Sequence, residues 1–153
     1  AEWPGIAWSE DSQVVADIRA ARAAGADLVI PFMHWGWERE RQASERQRQL
    51  ARLMIDAGAS LVVGGHPHVT QDIEYYQGKL IVYSLGNFVF DGFDLPAART
   101  GWLLRLSLDR HGLVSWDTVA AQIDGDGTPH PQAGTPTPCG RAGDRLVREC
   151  VQP

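Results

Sequence analysis

The chain has 153 residues, 44% of them hydrophobic, and a formal charge of -5. That length suits one domain and that composition builds a core, which excludes a disordered chain. The acidic balance argues against nucleic acid as a partner, because such proteins show a basic stripe, and no run of 18 apolar residues marks a transmembrane helix.

The opening "AEWPGIAWSEDS" has no basic start followed by an apolar run, so it reads as mid-domain sequence and not as a signal peptide. Residues 12–24, "SQVVADIRAARAA", set Val14, Val15, Ile18 and Ala21 on one helical face, with Ser12 as cap and Gly25 at the left-handed stop. "DLVIPFMHWG" predicts a buried strand with His34 at its C-terminal end. Residues 44–57 predict a second helix. Ser44 and Gln47 form a capping box, Leu50, Leu53, Met54 and Ala57 make the apolar stripe, and Gly58 ends it. "SLVVGG" (60–65) is the next buried strand. Helix, strand, helix, strand predicts crossovers in a layered α/β sheet.

Past Val69 the pattern changes. "DIEYY" and "KLIVYSL" flank "QG" as one hairpin, and "GWLLRLSLD" and "LVSWDTVAAQI" flank "RHG" as another. Residues 1–123 read as the folded unit. Residues 124–153 read as a Gly/Pro-rich tail with a short amphipathic end over Asp144–Val151. Cys139 and Cys150 are the only cysteines. A disulfide between them closes a loop of about 12 residues, worth roughly 3 kcal/mol, and fits an oxidising compartment; two free thiols are the other reading.

His34, His66 and His68 all fall just past the C-terminal ends of the two parallel strands, where ligands collect in open α/β sheets. Neutral imidazoles suit Zn, Mn or Fe. Gly64 and Gly65 allow a tight turn and close backbone approach, and Pro67 orders the histidines around it. On the residues alone "HPH" is either a ligand pair or two loop histidines bonded to backbone. Glu38, in "HWGWE", either orients a ligand or acts as a general acid/base, or is a solvated acid ahead of a charged run. The other acids are poor candidates for a bridging carboxylate. Asp27 and Asp56 sit at the wrong ends of their elements, and Asp91 and Asp94 sit in the "FDGFD" loop. His111 and His130 read as solvated.

With these words in place, "PFMHWGWE" (31–38) and "QRQLARLMIDAGASLVVGGHPHVTQDIEYYQGKLIVYSLGNFVFD" (47–91), the sequence resembles the CapA family of bacterial poly-γ-glutamate capsule synthesis proteins, built on a calcineurin-like metallophosphatase fold. The resemblance implies a four-layer αββα sandwich with a metal-type cleft between its sheets. It implies His34, His66 and His68 as metal ligands, His34 and Glu38 as catalytic candidates, and support from Gly64, Gly65, Pro67, Ser84 and Asn87. Gly65 departs from the His or Ser that often precedes "HPH". The family's early Gly-Asp and Asn-x-Glu-type motifs are not in this chain, so the resemblance is to the C-terminal half only.

A two-metal site would then be completed by a companion N-terminal half. Without it the chain exposes a sheet edge and is expected not to stand as a stable monomer; a cooperative unfolding transition of residues 1–153 alone would contradict this. Two functions follow. One is metal-dependent hydrolysis of a phosphoester or polymer amide. The other is a non-catalytic accessory role toward an anionic capsule polymer. Either is expected outside the cytoplasm, at the cell envelope or beyond it.

Overall fold

The computed structural model describes residues 8–92 and 95–151; Asp94 of the acidic loop lies outside them. Helix α1 (Asp11–Ala23) buries Ile18 and ends as expected, with Gly25 at φ +92°. Its start differs. Glu10 holds the N-cap position without a side-chain bond, and Ser12 lies inside the first turn.

Strand β1 (Phe32–His34) is shorter and more exposed than its apolar run predicts: Phe32 is 72% exposed. Pro31 is the local reason. It carries no amide hydrogen and restricts Ile30, so the regular ladder begins only after it, although its carbonyl accepts from Val63 N (3.1 Å). Helix α2 (Glu45–Ala57) carries the expected capping box, in which the Ser44 hydroxyl accepts from Gln47 N and Gln47 Oε1 accepts from Ser44 N (3.0 Å). It buries Gln47, Leu50, Ala51, Met54 and Ile55 and stops at Gly58 (φ +116°).

Strands β2 (Val62–Gly65), β3 (Ile73–Tyr76) and β4 (Lys79–Val82) complete a four-stranded sheet in the order β1-β2-β4-β3. β1, β2 and β4 are parallel, while β3 and β4 form the expected hairpin. After a 3-10 turn (Pro96–Arg99), β5 (Thr100–Asp109) and β6 (Gly112–Ile123) form the second hairpin.

The segment read as a tail is not one. Residues 124–151 supply β7 (Pro129–Pro131), β8 (Pro136–Arg141) and β9 (Arg148–Val151), all in the second sheet, whose main order is β5-β6-β8-β9 with β7 also on β6. Long β6 leaves its far edge open for pairing, and backbone groups satisfied there outweigh the segment's poor strand propensity. Cys139 on β8 is disulfide-bonded to Cys150 on β9, with Cα atoms 5.8 Å apart. Reducing this bond, or replacing both cysteines by serine, is expected to cost about 3 kcal/mol. Denaturant midpoints with and without reductant measure it, and identical midpoints would show that the ladder suffices.

The central strands of the first sheet, β2 and β4, are buried on both faces, with successive side chains pointing to opposite sides. Val62 and Ile81 point toward the helices with Leu50, Met54, Ile55 and Tyr83. Leu61, Val63, Leu80 and Val82 point toward Trp116, Leu104 and Leu106 of the second sheet. The result is mixed α/β with two helices and two sheets: helices, sheet, sheet. Among the described residues no fourth, helical layer covers the second sheet.

Charged residues lock α2 onto the hairpin. Arg52 Nε donates to Glu74 (2.8 Å), Arg48 bonds Asp72 (2.5 Å) and Glu74 (3.3 Å), and the Tyr83 hydroxyl donates to Glu74 (3.0 Å). Burial alone would raise the Glu74 carboxyl, but the Arg52 and Tyr83 hydrogen bonds and the two arginine charges hold it below its ordinary range. A lowered folded-state value means stability present above the unfolded pKa and lost as pH falls through the folded one. Tm is therefore expected to drop below about pH 4.3, the free Glu value. The drop should be shallower in Glu74→Gln; equal acid slopes would remove Glu74 from the explanation.

Candidate functional site

Adjacent parallel strands bring the histidines together. The β1–β2 register sets His34 opposite Gly65, so the next side chain, His66, lies against it, with ring centroids 4.4 Å apart. The ladder continues one step further through Trp35 N, which donates to Gly65 O (3.2 Å). His68 follows, 5.9 Å from His66 between ring centroids. Pro67 between them is buried, and its carbonyl accepts from Arg39 N (2.7 Å), tying the histidine turn to the loop after β1.

The turn is made differently from the expectation. His66 (φ +97°) and His68 (φ +60°) themselves occupy the left-handed region. Such a conformation costs a non-glycine residue about 1–3 kcal/mol and clusters at functional sites. Gly64 serves close approach instead: a Cβ there would lie 2.3 Å from Trp35 Nε1 and from Tyr83 O, atoms already joined by a 2.8 Å hydrogen bond. Gly65 has no neighbour that a Cβ would meet within 4 Å, so the close-approach reading does not hold for it.

His68 is aimed by its neighbours. Asn87 is buried, and its Nδ2 donates to Ala98 O (2.9 Å), which fixes the amide orientation. Asn87 Oδ1 then faces His68 Nδ1 at 2.8 Å. An amide oxygen only accepts, so Nδ1 carries a proton, which in the neutral ring leaves the lone pair on Nε2. Gly101 packs so tightly on the Asn87 carbonyl that no Cβ fits there. Ser84 is fully buried and accepts from Gly86 N through its hydroxyl (3.2 Å), shaping the turn into Asn87. Phe90 stacks near His68 with centroids 4.8 Å apart, its amide held by Gly127 O (3.2 Å).

Burial, and then the charges of His34 and His68, lower His66 below the ordinary imidazole range, while Glu38 pulls the other way. His66 is therefore neutral at neutral pH, the form that donates a lone pair. Glu38 lies exposed on the turn after β1, near enough for its charge to act on His66.

The structure thus gathers His34, His66, His68 and Asn87, with Glu38 at the rim. Asp91 is exposed in the loop that carries Phe90. His111 is in the β5–β6 turn, and His130 pairs with Asp124 (2.7 Å) on the second sheet. Asp56 binds Gln77 Nε2 (2.8 Å) beside the β3–β4 turn. In kind, the donors fit a divalent transition metal: imidazoles presented from rigid strand ends, one with its remote nitrogen held by an amide carbonyl. In number they fall short, for among the described residues no group of three or more His, Cys, Asp or Glu side chains is disposed to hold a metal ion.

Sequence reasoning missed Phe90 as a wall of the site and Gln71 as a buried residue just beyond it. Gln71 gave no periodic signal; a polar residue three past a strand-end histidine was the only hint. Gln47 was legible as a cap, yet its place on the apolar stripe, three before Leu50, also marked it as buried.

A profile of the family described as "Bacterial capsule synthesis protein PGA_cap" matches residues 1–92. The chain is 40% identical over 128 residues to the PGA biosynthesis protein CapA of Bacillus subtilis, covering 84% of this chain and 33% of that protein. It is 38% identical over 117 residues to the capsule biosynthesis protein CapA of Bacillus anthracis, covering 76% and 28%. A probable polyglutamine synthesis accessory protein of Mycobacterium tuberculosis is 36% identical over 80 residues, 52% of this chain and 20% of that protein. The chain spans about a third of the length of the Bacillus relatives it matches. It belongs to the bacterial capsule synthesis protein family PGA_cap.

Proposed function

We propose that this chain carries part of a metal-dependent hydrolase-type site that acts on a phosphoester or a polymer amide in capsule biosynthesis. The observation that supports it best is the grouping of His34, His66 and His68 at parallel strand ends, with His68 held by Asn87. His34, His66 and His68 would supply some of the ligands of a divalent transition metal such as Zn, Mn or Fe, and would not complete its shell by themselves. When bound, such an ion polarises a phosphoryl or carbonyl oxygen and lowers the pKa of water. Asn87 orients His68 and fixes its tautomer, and burial keeps His66 neutral. Glu38 is available at the rim to move a proton.

The ligands still wanting would come from a companion segment, the other half of a four-layer αββα domain. The open edge of β1 favours this, as does a groove of about 720 Å³ beside it, lined by Val29, Ile30, Phe32, Met33 and His34 among others. An extracytoplasmic location accords with the Cys139–Cys150 disulfide. No described helix is long and apolar enough to cross a membrane.

The accessory reading, binding or guiding an anionic polymer without turnover, is favoured by the incomplete ligand set and by the name of the mycobacterial relative. The deciding experiment uses the protein from its whole reading frame. It is assayed with Zn and Mn on aryl phosphoesters and on poly-γ-glutamate, alongside His66→Ala and His68→Ala. Turnover abolished in both variants with polymer binding intact supports hydrolysis. No turnover with any divalent ion supports the accessory role.

A further inference from the structure

Between β1 and α2 the chain runs ten residues, 35–44, without helix or strand, and Glu38 sits in its middle. Such a loop needs partners for its backbone groups. Two buried amides provide them. Gln71 Nε2 donates to Glu40 O (2.9 Å) and to Gln42 O (3.2 Å), using both of its hydrogens. Gln71 Oε1 accepts from Gln47 Nε2 (2.9 Å), and Gln47 Oε1 accepts from Ser44 N (3.0 Å). Gly36, at φ +83°, rests on the same group: a Cβ there would lie 2.7 Å from Gln47 Oε1. Both glutamines are 2% exposed.

We infer that Gln47 and Gln71 are positioning residues: together they hold the 36–44 segment, and with it Glu38, over the histidine turn. Capping explains part of Gln47, but it requires neither its Nε2 contact nor anything of Gln71. The pair joins three elements of one site. Gln71 lies three residues past His68 and is fixed by its own amide, which donates to Ser84 O (3.2 Å). Gln47 opens α2. The segment they grip is tied again at Arg39 N to Pro67 O, between the histidines. Glu38 is therefore bracketed by Gly36 on one side and by Arg39, Glu40 and Gln42 on the other. Burying two amides is costly unless every bond is made, and the bonds made here are spent on the loop.

The functional meaning rests on the metal-site reading above, and the test separates the two. In the protein from its whole reading frame, Gln71→Met keeps length and removes both donors. Amide hydrogen exchange in residues 36–44 should speed up about tenfold, while β2 and β4 keep their protection. Because the segment is also tied through Arg39 N to Pro67 O, between His66 and His68, loosening it loosens the histidine turn, and affinity for Zn or Mn by titration calorimetry should fall about tenfold.

Val82→Ala, a core change on β4, is the control. It should lower Tm while leaving both readouts unmoved. Unchanged exchange in 36–44, or an equal change in the control, overturns the inference, as does faster exchange with unaltered metal affinity. If the unmutated protein binds neither metal, the metal reading fails and exchange alone decides whether the pair holds the segment. Should Gln71→Met not fold, Gln47→Met, which removes the brace and the Ser44 cap bond but leaves both Gln71 bonds to the loop, reads the same exchange with a smaller expected change.

Discussion

Gly64→Ala is expected to destabilise the fold by about 3 kcal/mol, while Gly65→Ala, one residue on, should change stability by less than about 1 kcal/mol. At Gly64 the new methyl carbon would stand 2.3 Å from two atoms that are hydrogen-bonded to each other, Trp35 Nε1 and Tyr83 O. One is backbone of the strand-end segment after β4, and the other is a ring packed into the helix-side core, so neither can swing aside. The clash therefore adds overpacking to the loss of a buried hydrogen bond. At Gly65 the same carbon meets nothing within 4 Å. Denaturant unfolding of the two variants measures the contrast. Equal midpoints would mean that the indole does not fill the space beside β2. Because Trp35 directly follows His34, Gly64→Ala should also loosen His34.

The same comparison shows which features were legible in the sequence. Gly64 and Gly65 look alike in "VVGGHPH", and only the three-dimensional position of Trp35, 29 residues earlier in the chain, separates them. The helices, the two hairpins and the parallel strands were readable because each rests on local signals: the Ser44–Gln47 box, the Gly58 stop, the Gln77–Gly78 turn, the apolar runs of β2 and β4 and the alternation along β5 and β6.

The edge position of β1 was not readable, since an apolar run looks the same whether a neighbour covers it or not. Strands β7 to β9 were hidden for a related reason. The Gly- and Pro-rich words of β7 and β8 have little strand propensity and become strands by pairing with β6, and β9 in turn pairs with β8. For the site, the meeting of His34 with His66 follows from parallel register, which two strand-end histidines suggest. The sequence did not show that His66 and His68 would take positive φ themselves, because a proline favours negative φ in the residue before it and the observed conformation goes against that local preference.

His66→Gly is expected to lower metal affinity by more than 100-fold and to raise stability by about 1 kcal/mol. His66 stands between the other two rings, 4.4 Å and 5.9 Å from their centroids, so its loss leaves His34 and His68 without the member that links them. Removing a ligand costs more than removing a residue that only orients one, for which 10–100-fold is usual. Stability moves the other way because φ +97° strains histidine and suits glycine. A fold that holds a strained, neutral imidazole where glycine would be more stable trades stability for function. Titration calorimetry with Zn or Mn and chemical denaturation on the same samples test both halves. If His66→Gly keeps wild-type affinity, His66 is not a ligand. If it also loses stability, the positive φ is not strain.

The measurement that bears most directly on the metal-site proposal is metal content per chain by elemental analysis, made on the protein from its whole reading frame, with and without His66→Gly. About two transition-metal ions per assembled domain, lost in the variant, is the predicted result. No bound metal after reconstitution with Zn or Mn would contradict it, and would leave these histidines as the relic or scaffold of a polymer-binding protein.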